Sequence, residues 1–316
     1  MSIDTPLEQA SLAQLQQTPI DNVLHIIDEG LVHLPTYREL YYRWERQQWR
    51  AQDIDFSEDR QQWANMSEEE HNMRIYGLSA FFHGEADVTN TLAPYVQAMP
   101  DEEMRIFLTT QLVDEARHTV FFARFFREVM GVETGTLEEA LVFARQYMNA
   151  NLQYILIDSL TEVAERIRRE PGNLAHLVEG VTLYHVIVEG TMALAGQRGI
   201  LEFYREHGLF PAFRGGFTAV ARDESRHVVF GVKFLREMIQ RDRTYASVIH
   251  AALNKYAPVA VAAIMPGEQQ AQHILAMGED PWVTPRYGVE SLGKKLKVMG
   301  LSMKLPEVPP PPVQGI

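Results

Sequence analysis

Two short stretches of this chain carry nearly the same residues: Asp114-Glu115-Ala116-Arg117-His118 and Asp223-Glu224-Ser225-Arg226-His227. Each contains Glu-x-x-His, and on a helix residues three apart project from one face. One motif therefore offers a carboxylate oxygen and an imidazole nitrogen to the same point, which suits a divalent cation. A single copy is common on solvated helix faces and means little. Two copies among apolar residues mean more: Val113, Val120, Phe121 and Phe122 surround the first, and Val228, Val229 and Phe230 follow the second. Burying Glu and His there without a cation or partners would be expensive.

A two-cation site in a four-helix bundle needs one further carboxylate from each remaining helix. Glu85 lies in Phe81-Phe82-His83-Gly84-Glu85-Ala86-Asp87-Val88, and Glu189 in Tyr184-His185-Val186-Ile187-Val188-Glu189-Gly190. Both stretches are apolar, and two divalent ions would nearly balance the four Glu. The competing reading is a pair of surface salt-bridge ladders plus two coincidental buried acids. Asp114 and Asp223 precede the Glu of each motif. A ligand His gives its other ring N–H to an acceptor, so these Asp residues are candidates for that role. Pairing with Arg117 and Arg226 on an exposed face is the alternative.

Helical periodicity runs through nearly the whole chain, and no segment sustains strand-like alternation. Residues 1–35 read as a loosely structured extension with one short helix, and Tyr37 to Trp49 as a helix. Ser67 and Glu70 have capping-box spacing, which starts a long helix that runs to about Leu92. A second runs from Asp101 to about Met130, with Gly131 as its stop. A third starts at Thr136 and ends before Pro171. A fourth spans Asn173 to His207, and a fifth Pro211 to Gln240. Gly180, Gly190, Gly196 and Gly199 inside the fourth imply close packing or a local distortion. Shorter helices are expected at 244–257, 259–277 and 285–297. The expectation is an all-α fold. Its segments are an N-terminal extension (1–35), a di-metal helical domain (36–298) and a proline-rich tail (299–316) ending VPPPPVQGI.

Cysteine is absent, which excludes disulfides, zinc–thiolate sites, iron–sulfur clusters and cysteine nucleophiles. Net charge is −13 with no strong basic run, which argues against nucleic acid as a partner. The most apolar stretch, Val259 to Met265, is too short to span a bilayer. The opening MSIDTPLEQA lacks the pattern of a signal peptide, so a cytoplasmic location is expected.

At these residues the chain resembles the small-subunit superfamily of class I ribonucleotide reductase, from about Tyr37 through the fifth long helix. The resemblance includes Trp44-Glu45-Arg46-Gln47-Gln48-Trp49, Asp53-Ile54-Asp55-Phe56-Ser57 and the ligand order Glu85, Glu115–His118, Glu189, Glu224–His227. It implies a ferritin-like four-helix bundle core with additional helices. Phe122 stands where the radical-storing subunits carry Tyr, and Glu85 where those subunits usually carry Asp. Both look like the manganese/iron branches, with two irons as the other option. Val88 and Tyr184 match the ligand-binding oxidases of the superfamily, in which a Val and a Tyr become joined by an ether bond. That branch binds a long-chain fatty acid and uses dioxygen for two-electron oxidation. Tyr184 lies five residues before Glu189, and an ideal helix points the two well apart, so their cooperation needs a distorted helix. Gln197 departs from the aromatic residue of those oxidases on the ligand side.

The resemblance thus implies an oxygen-dependent oxidoreductase, with an apolar ligand, an unknown electron donor and a homodimeric state. Phe81, Phe122 and Val188 are the apolar residues expected to keep water from the site. The second reading is a reductase small subunit with a Mn/Fe initiator, because Trp49 and Asp223 match its electron-transfer route. A non-catalytic metal-binding protein and a purely structural helical domain are further alternatives.

Overall fold

The computed structural model describes residues 6–276 and 278–312; residues 1–5, 277 and 313–316, which include the end of the proline tail, lie outside the described residues. No strand occurs among the described residues. In chain order the helices are α1 (Leu12–Gln17), α2 (Ile20–Val32), α3 (Tyr37–Arg46), α4 (Ser57–Ala64), α5 (Glu68–Thr91), α6 (Ala93–Ala98) and α7 (Glu102–Glu128). There follow α8 (Leu137–Arg145), α9 (150–169), α10 (Leu174–Glu206), α11 (Pro211–Arg241), α12 (Thr244–Ala263), α13 (Glu268–Ala276) and α14 (Val283–Met299).

Four of them, α5, α7, α10 and α11, form the bundle core, and each starts at a local signal. The Ser67 hydroxyl accepts from the Glu70 N–H, while a Glu70 carboxylate oxygen accepts from the Ser67 N–H at 2.8 Å. Asp101 accepts from the Glu103 N–H at 2.8 Å, and Gly131 stops that segment with φ +69°. Asn173 caps α10. At α11, Pro211 takes the first turn, and Asp59 reaches across from α4 to accept from the Ala212 and Phe213 N–H groups at 3.0 and 2.7 Å. α11 is central: α1 and α2 cover one side, and α7 and α10 pack on the other.

The structure departs from the periodicity reading in several places. The N-terminal extension is more ordered than expected. α2 buries Ile20, Val23, Leu24, Ile27 and Leu31, a helical stripe laid on α11. The third long helix is interrupted at 146–149, where Asn149 caps a new start by accepting from the Leu152 N–H and donates its amide to the Ala263 carbonyl at 3.1 Å. Conversely, α12 runs through Pro258 instead of breaking there. Pro258 and Asn254, whose carbonyl loses its partner, are both on the exposed face, so water satisfies the freed oxygen. The break comes at 264–267, beside Pro266 and Gly267. The described part of the tail has no regular structure and is tied down by Arg286, which donates to the Pro309 carbonyl at 2.8 Å.

α10 is the one helix long and apolar enough to cross a membrane among the described residues, and 89% of its most apolar window is buried inside the protein. It is a core helix of the bundle. Val113 and Val120, expected to pack around the first motif, are instead 49% and 44% exposed. Val113 is two residues before Glu115, about 200° round the helix, so it must face away when Glu115 faces in.

Candidate metal centre

The bundle brings Glu85, Glu115, His118, Glu189, Glu224 and His227 to one point in its interior, every one of them buried. Their ligand atoms form two groups, each within 4.8 Å: Glu85, Glu115, His118 and Glu224 in one, and Glu115, Glu189, Glu224 and His227 in the other. Glu115 and Glu224 belong to both. His118 Nδ1 lies 3.1 Å from a Glu85 oxygen and 3.6 Å from one oxygen each of Glu115 and Glu224. His227 Nδ1 lies 3.2 Å from Glu189, and 3.3 and 3.7 Å from the other oxygens of Glu115 and Glu224. Two cations held there would share Glu115 and Glu224, with Glu85 and His118 available to one and Glu189 and His227 to the other.

The other ring nitrogen of each His is fixed by an Asp from the opposite motif. His118 Nε2 is 3.3 Å from Asp223, and His227 Nε2 is 3.1 Å from Asp114. Each Asp also accepts from an indole N–H: Trp49 to Asp223 at 2.7 Å and Trp44 to Asp114 at 3.0 Å. Arg226 joins the two halves by donating to Asp114 at 2.8 Å and Asp223 at 2.9 Å. Arg117 touches both Asp residues as well. The two readings of Asp114 and Asp223 were therefore not exclusive: they hold the imidazoles and pair with both arginines, but in the interior.

Electrostatics show what the cluster does with protons. Burial raises Glu85 and Glu189 well above the usual carboxylate range, and the neighbouring carboxylates add to it. Burial also pushes Glu115 up, but its contacts with His118 and His227 outweigh that and hold it well below. Burial lowers both His residues; facing carboxylates, Glu85 at His118 and Glu189 at His227, overcome it and raise them well above the usual value. Protons thus sit where cations would. Glu189 Oε2 and Glu224 Oε2 are buried with no hydrogen-bond partner among the described residues. Six donors, four of them oxygen-bearing groups, with orphaned oxygens aimed inward fit a pair of hard to intermediate divalent ions such as manganese and iron.

The helix distortion that Tyr184 requires is present. Residues Thr182–Ala193 of α10 are π-helical. With i→i+5 bonding, residues five apart come back to one side of the helix. Tyr184 and Glu189 accordingly share one network: Gln111 Nε2 donates to the Tyr184 hydroxyl at 2.8 Å and to Glu189 at 3.0 Å, and the Tyr184 hydroxyl donates to Glu115 at 2.7 Å. Burial pushes His185 down to about 3, so it is neutral and donates Nε2–H to Gln111 at 3.1 Å. The wide turn is braced from outside by α14. Lys295 donates to the Ser291 hydroxyl at 2.5 Å, which donates to the Gly190 carbonyl at 3.1 Å. A Cβ on Gly190 would stand 2.8 Å from the His185 carbonyl oxygen, which is backbone and cannot give way cheaply, and 2.6 Å from Lys295 Cε, so glycine is favoured there.

A cavity of about 320 Å³ opens from this cluster. Glu85, Glu115, Glu189 and Glu224 form its polar end; Phe81, Val88, Tyr184 and Val188 line it further out. Phe122 and Gln197, expected on the pocket, are not part of its lining. Phe122 packs behind Phe81 at 6.2 Å between ring centroids. On α10 it is Gly196 and Ile200 that face the cavity. Gln197 is turned about 100° from Gly196, buried, with neither amide atom hydrogen-bonded among the described residues.

The family model described as ribonucleotide reductase, small chain, matches residues 32–258. The chain belongs to this family. Among solved structures, a tyrosine-to-phenylalanine variant of an R2-like ligand-binding oxidase with aerobically reconstituted Mn/Fe cofactor is 23% identical. It covers 85% of this chain and 94% of its own, with a TM-score of 0.73. A valine-to-isoleucine variant, also with aerobically reconstituted Mn/Fe cofactor, is 25% identical over the same shares, with a TM-score of 0.74. A glycine-to-leucine variant with anaerobically reconstituted cofactor is 24% identical over the same shares, with a TM-score of 0.73. These proteins share the fold of this small-chain family member. Sequence reasoning had not found Trp44, Gln111, His185 or Arg226 as parts of the site. Their only signal was a polar side chain at a position the helix period turns inward.

Proposed function

We propose that this chain is a dioxygen-using oxidoreductase that holds one manganese and one iron on Glu85, Glu115, His118, Glu189, Glu224 and His227, with an apolar ligand beside them. The observation that carries this reading is the continuity of the carboxylate cluster with an apolar chamber. Among the described residues no Lys, Arg or His lines that chamber, so an anionic ligand head would meet the cations. A long-chain carboxylic acid fits: head at the cluster, chain along Phe81, Val188 and Met192. When bound, the metal pair supplies the reduction of dioxygen.

The chain's own residues do the rest. Glu115 and Gln111 hold the Tyr184 hydroxyl at the cluster edge. Val88, one turn after Glu85, presents its C–H bonds to the same cavity. Joining the Val88 carbon to the Tyr184 oxygen breaks one C–H and one O–H bond and releases two electrons and two protons to dioxygen. The similar oxidases were studied as variants at a glycine and a valine four positions apart, and Gly84 and Val88 have that spacing here, both on the cavity wall.

The test is anaerobic loading with Mn(II) and Fe(II), exposure to air, and peptide mass spectrometry with metal analysis. The reading expects two ions per chain and a Val88–Tyr184 peptide pair lighter by two hydrogens. A fully oxidised sample without that link overturns the oxidase assignment. One observation favours the reductase small subunit instead: the hydrogen-bonded chain Trp49–Asp223–His118 reaches from near the surface to the cluster. Deoxynucleotide formation with a reductase large subunit would place the protein there.

A further inference from the structure

Each imidazole of the cluster is tied through an aspartate to an indole, and the two chains differ at their outer ends. Trp49, behind Asp223 and His118, is 8% exposed, and the rings beside it among the described residues are Phe121 and His118. Neither gives up an electron readily. The Arg117 guanidinium lies 5.1 Å from the centre of the Trp49 ring. A cation there is held by the electron-rich face, and it opposes any positive charge that oxidation would place on the same ring. Trp49 is therefore a closed end.

Trp44, behind Asp114 and His227, is an open one. It is half-buried, and among the described residues no cation lies over its ring. Tyr41 is 5.9 Å from it between ring centroids, and Tyr42, 47% exposed, is 6.2 Å from Tyr41. In a chain without cysteine, indole and phenol are the rings that lose one electron most easily. An oxidised phenol must also shed its proton. The Glu45 carboxylate, one turn on along α3, is the acceptor: its charge and its hydrogen bond push the Tyr41 pKa up. Neither Trp44, Tyr41, Tyr42 nor Glu45 lines the ligand cavity, so this chain and a ligand do not compete for space.

We propose that Trp44, Tyr41 and Tyr42 form a route that carries oxidising equivalents from the cluster to the surface when no C–H bond is available to be oxidised. The proposal rests on the oxidase reading, which supplies dioxygen as the oxidant. Reduction of dioxygen to water takes four electrons and four protons. The two divalent ions give two electrons on becoming trivalent, and a C–H substrate or the Val88–Tyr184 link gives the other two. Without these, Tyr41 sends one electron inward through Trp44, Asp114 and His227, and its hydroxyl proton passes to Glu45. Tyr42 then reduces Tyr41, releasing its own proton to solvent, and Tyr41 sends the second electron. The remaining two protons come from water.

The test uses the full chain carrying Tyr184→Phe, in which the link cannot form. It is loaded anaerobically with Mn(II) and Fe(II), mixed with oxygenated buffer without ligand, freeze-quenched and read by electron paramagnetic resonance. A tyrosyl signal is expected, narrowing when the protein is made with ring-deuterated tyrosine. Adding Trp44→Phe is expected to abolish it at unchanged metal content, and adding Trp49→Phe to leave it. Tyr41→Phe, which does not touch Asp114, is expected to abolish it as well, and circular dichroism checks that each variant is folded. If the metals stay divalent in air, the oxidase reading fails and the proposal with it. Metals that oxidise without a tyrosyl signal, or a signal that Trp44→Phe or Tyr41→Phe leaves intact, overturn the proposal alone.

Discussion

Replacing Lys295 by methionine should make the protein more stable at neutral pH, and the gain should vanish as pH rises. Lys295 is 1% exposed, and its amine bonds only to the Ser291 hydroxyl and carbonyl; the nearby Asp28 carboxylate, which pairs with Lys294, only partly offsets the effect of burial. Burial pushes it down to about 7 from an ordinary 10.5. The folded-state value is lower than the unfolded one, so between these two pH values the unfolded chain binds more protons. Stability therefore rises with pH through that window and is reduced in full below it. Full separation of the two values corresponds to roughly 4–5 kcal/mol at about 1.4 kcal/mol per unit. Between pH 7 and 8.5 the wild type should gain about 1.6 kcal/mol from this group alone. The methionine variant would have no such slope. It would lose the two hydrogen bonds, about 1 kcal/mol each, leaving a net advantage of about 2 kcal/mol near pH 7. Urea unfolding of both proteins, metal-free and followed by circular dichroism at several pH values from 7 to 9, measures the difference. A constant separation between the two proteins across that range refutes the reasoning.

The same structure makes further predictions for the site. Asp223→Asn removes the carboxylate that holds His118 and Trp49 and leaves buried Arg226 with one acid partner; affinity for one of the two cations should fall about 10–100-fold in chelator competition, and an unchanged affinity would contradict the bridging role of Asp223. Cation binding must expel protons from Glu85, Glu189, His118 and His227, all raised above their ordinary values, so affinity should increase as pH rises from 5.5 to 7.5. Calorimetry in buffers of differing ionisation enthalpy should register that release, and buffer-independent heats would rule it out. Gly84→Leu should leave metal stoichiometry at its wild-type value while weakening binding of a long-chain carboxylic acid more than tenfold, because the new side chain grows into the cavity beside Leu156. Equal ligand binding by the variant would remove the chamber from the account.

What the sequence disclosed follows from which rules are local. Capping chemistry is local, and Ser67 with Glu70 marked the start of α5 directly. Glu-x-x-His is local too, and the apolar settings of Glu85 and Glu189 singled them out as carboxylates in need of a cation. The π-helical turn was visible only as a conflict, since Tyr184 and Glu189 could not face one point on an ideal helix. A contact that braces it lies a hundred residues away, where the Ser291 hydroxyl donates to the Gly190 carbonyl and Lys295 donates to Ser291. Trp44, Gln111 and His185 are likewise functional only through partners distant in sequence. Val113 and Val120 were misread for a different reason: apolar type was taken for burial where the helix period already turned them away from Glu115. Pro258 was read as a break because its own exposure, which lets water replace the missing bond, is a tertiary property.

The account rests on two cations sharing Glu115 and Glu224, and anomalous diffraction from crystals of the Mn- and Fe-loaded protein, recorded at each metal's absorption edge, tests that most directly. Two peaks per chain are predicted, one beside Glu85 and His118 and one beside Glu189 and His227, with both bridging carboxylates between them. A single peak, or ions bound anywhere other than among these six side chains, would contradict it.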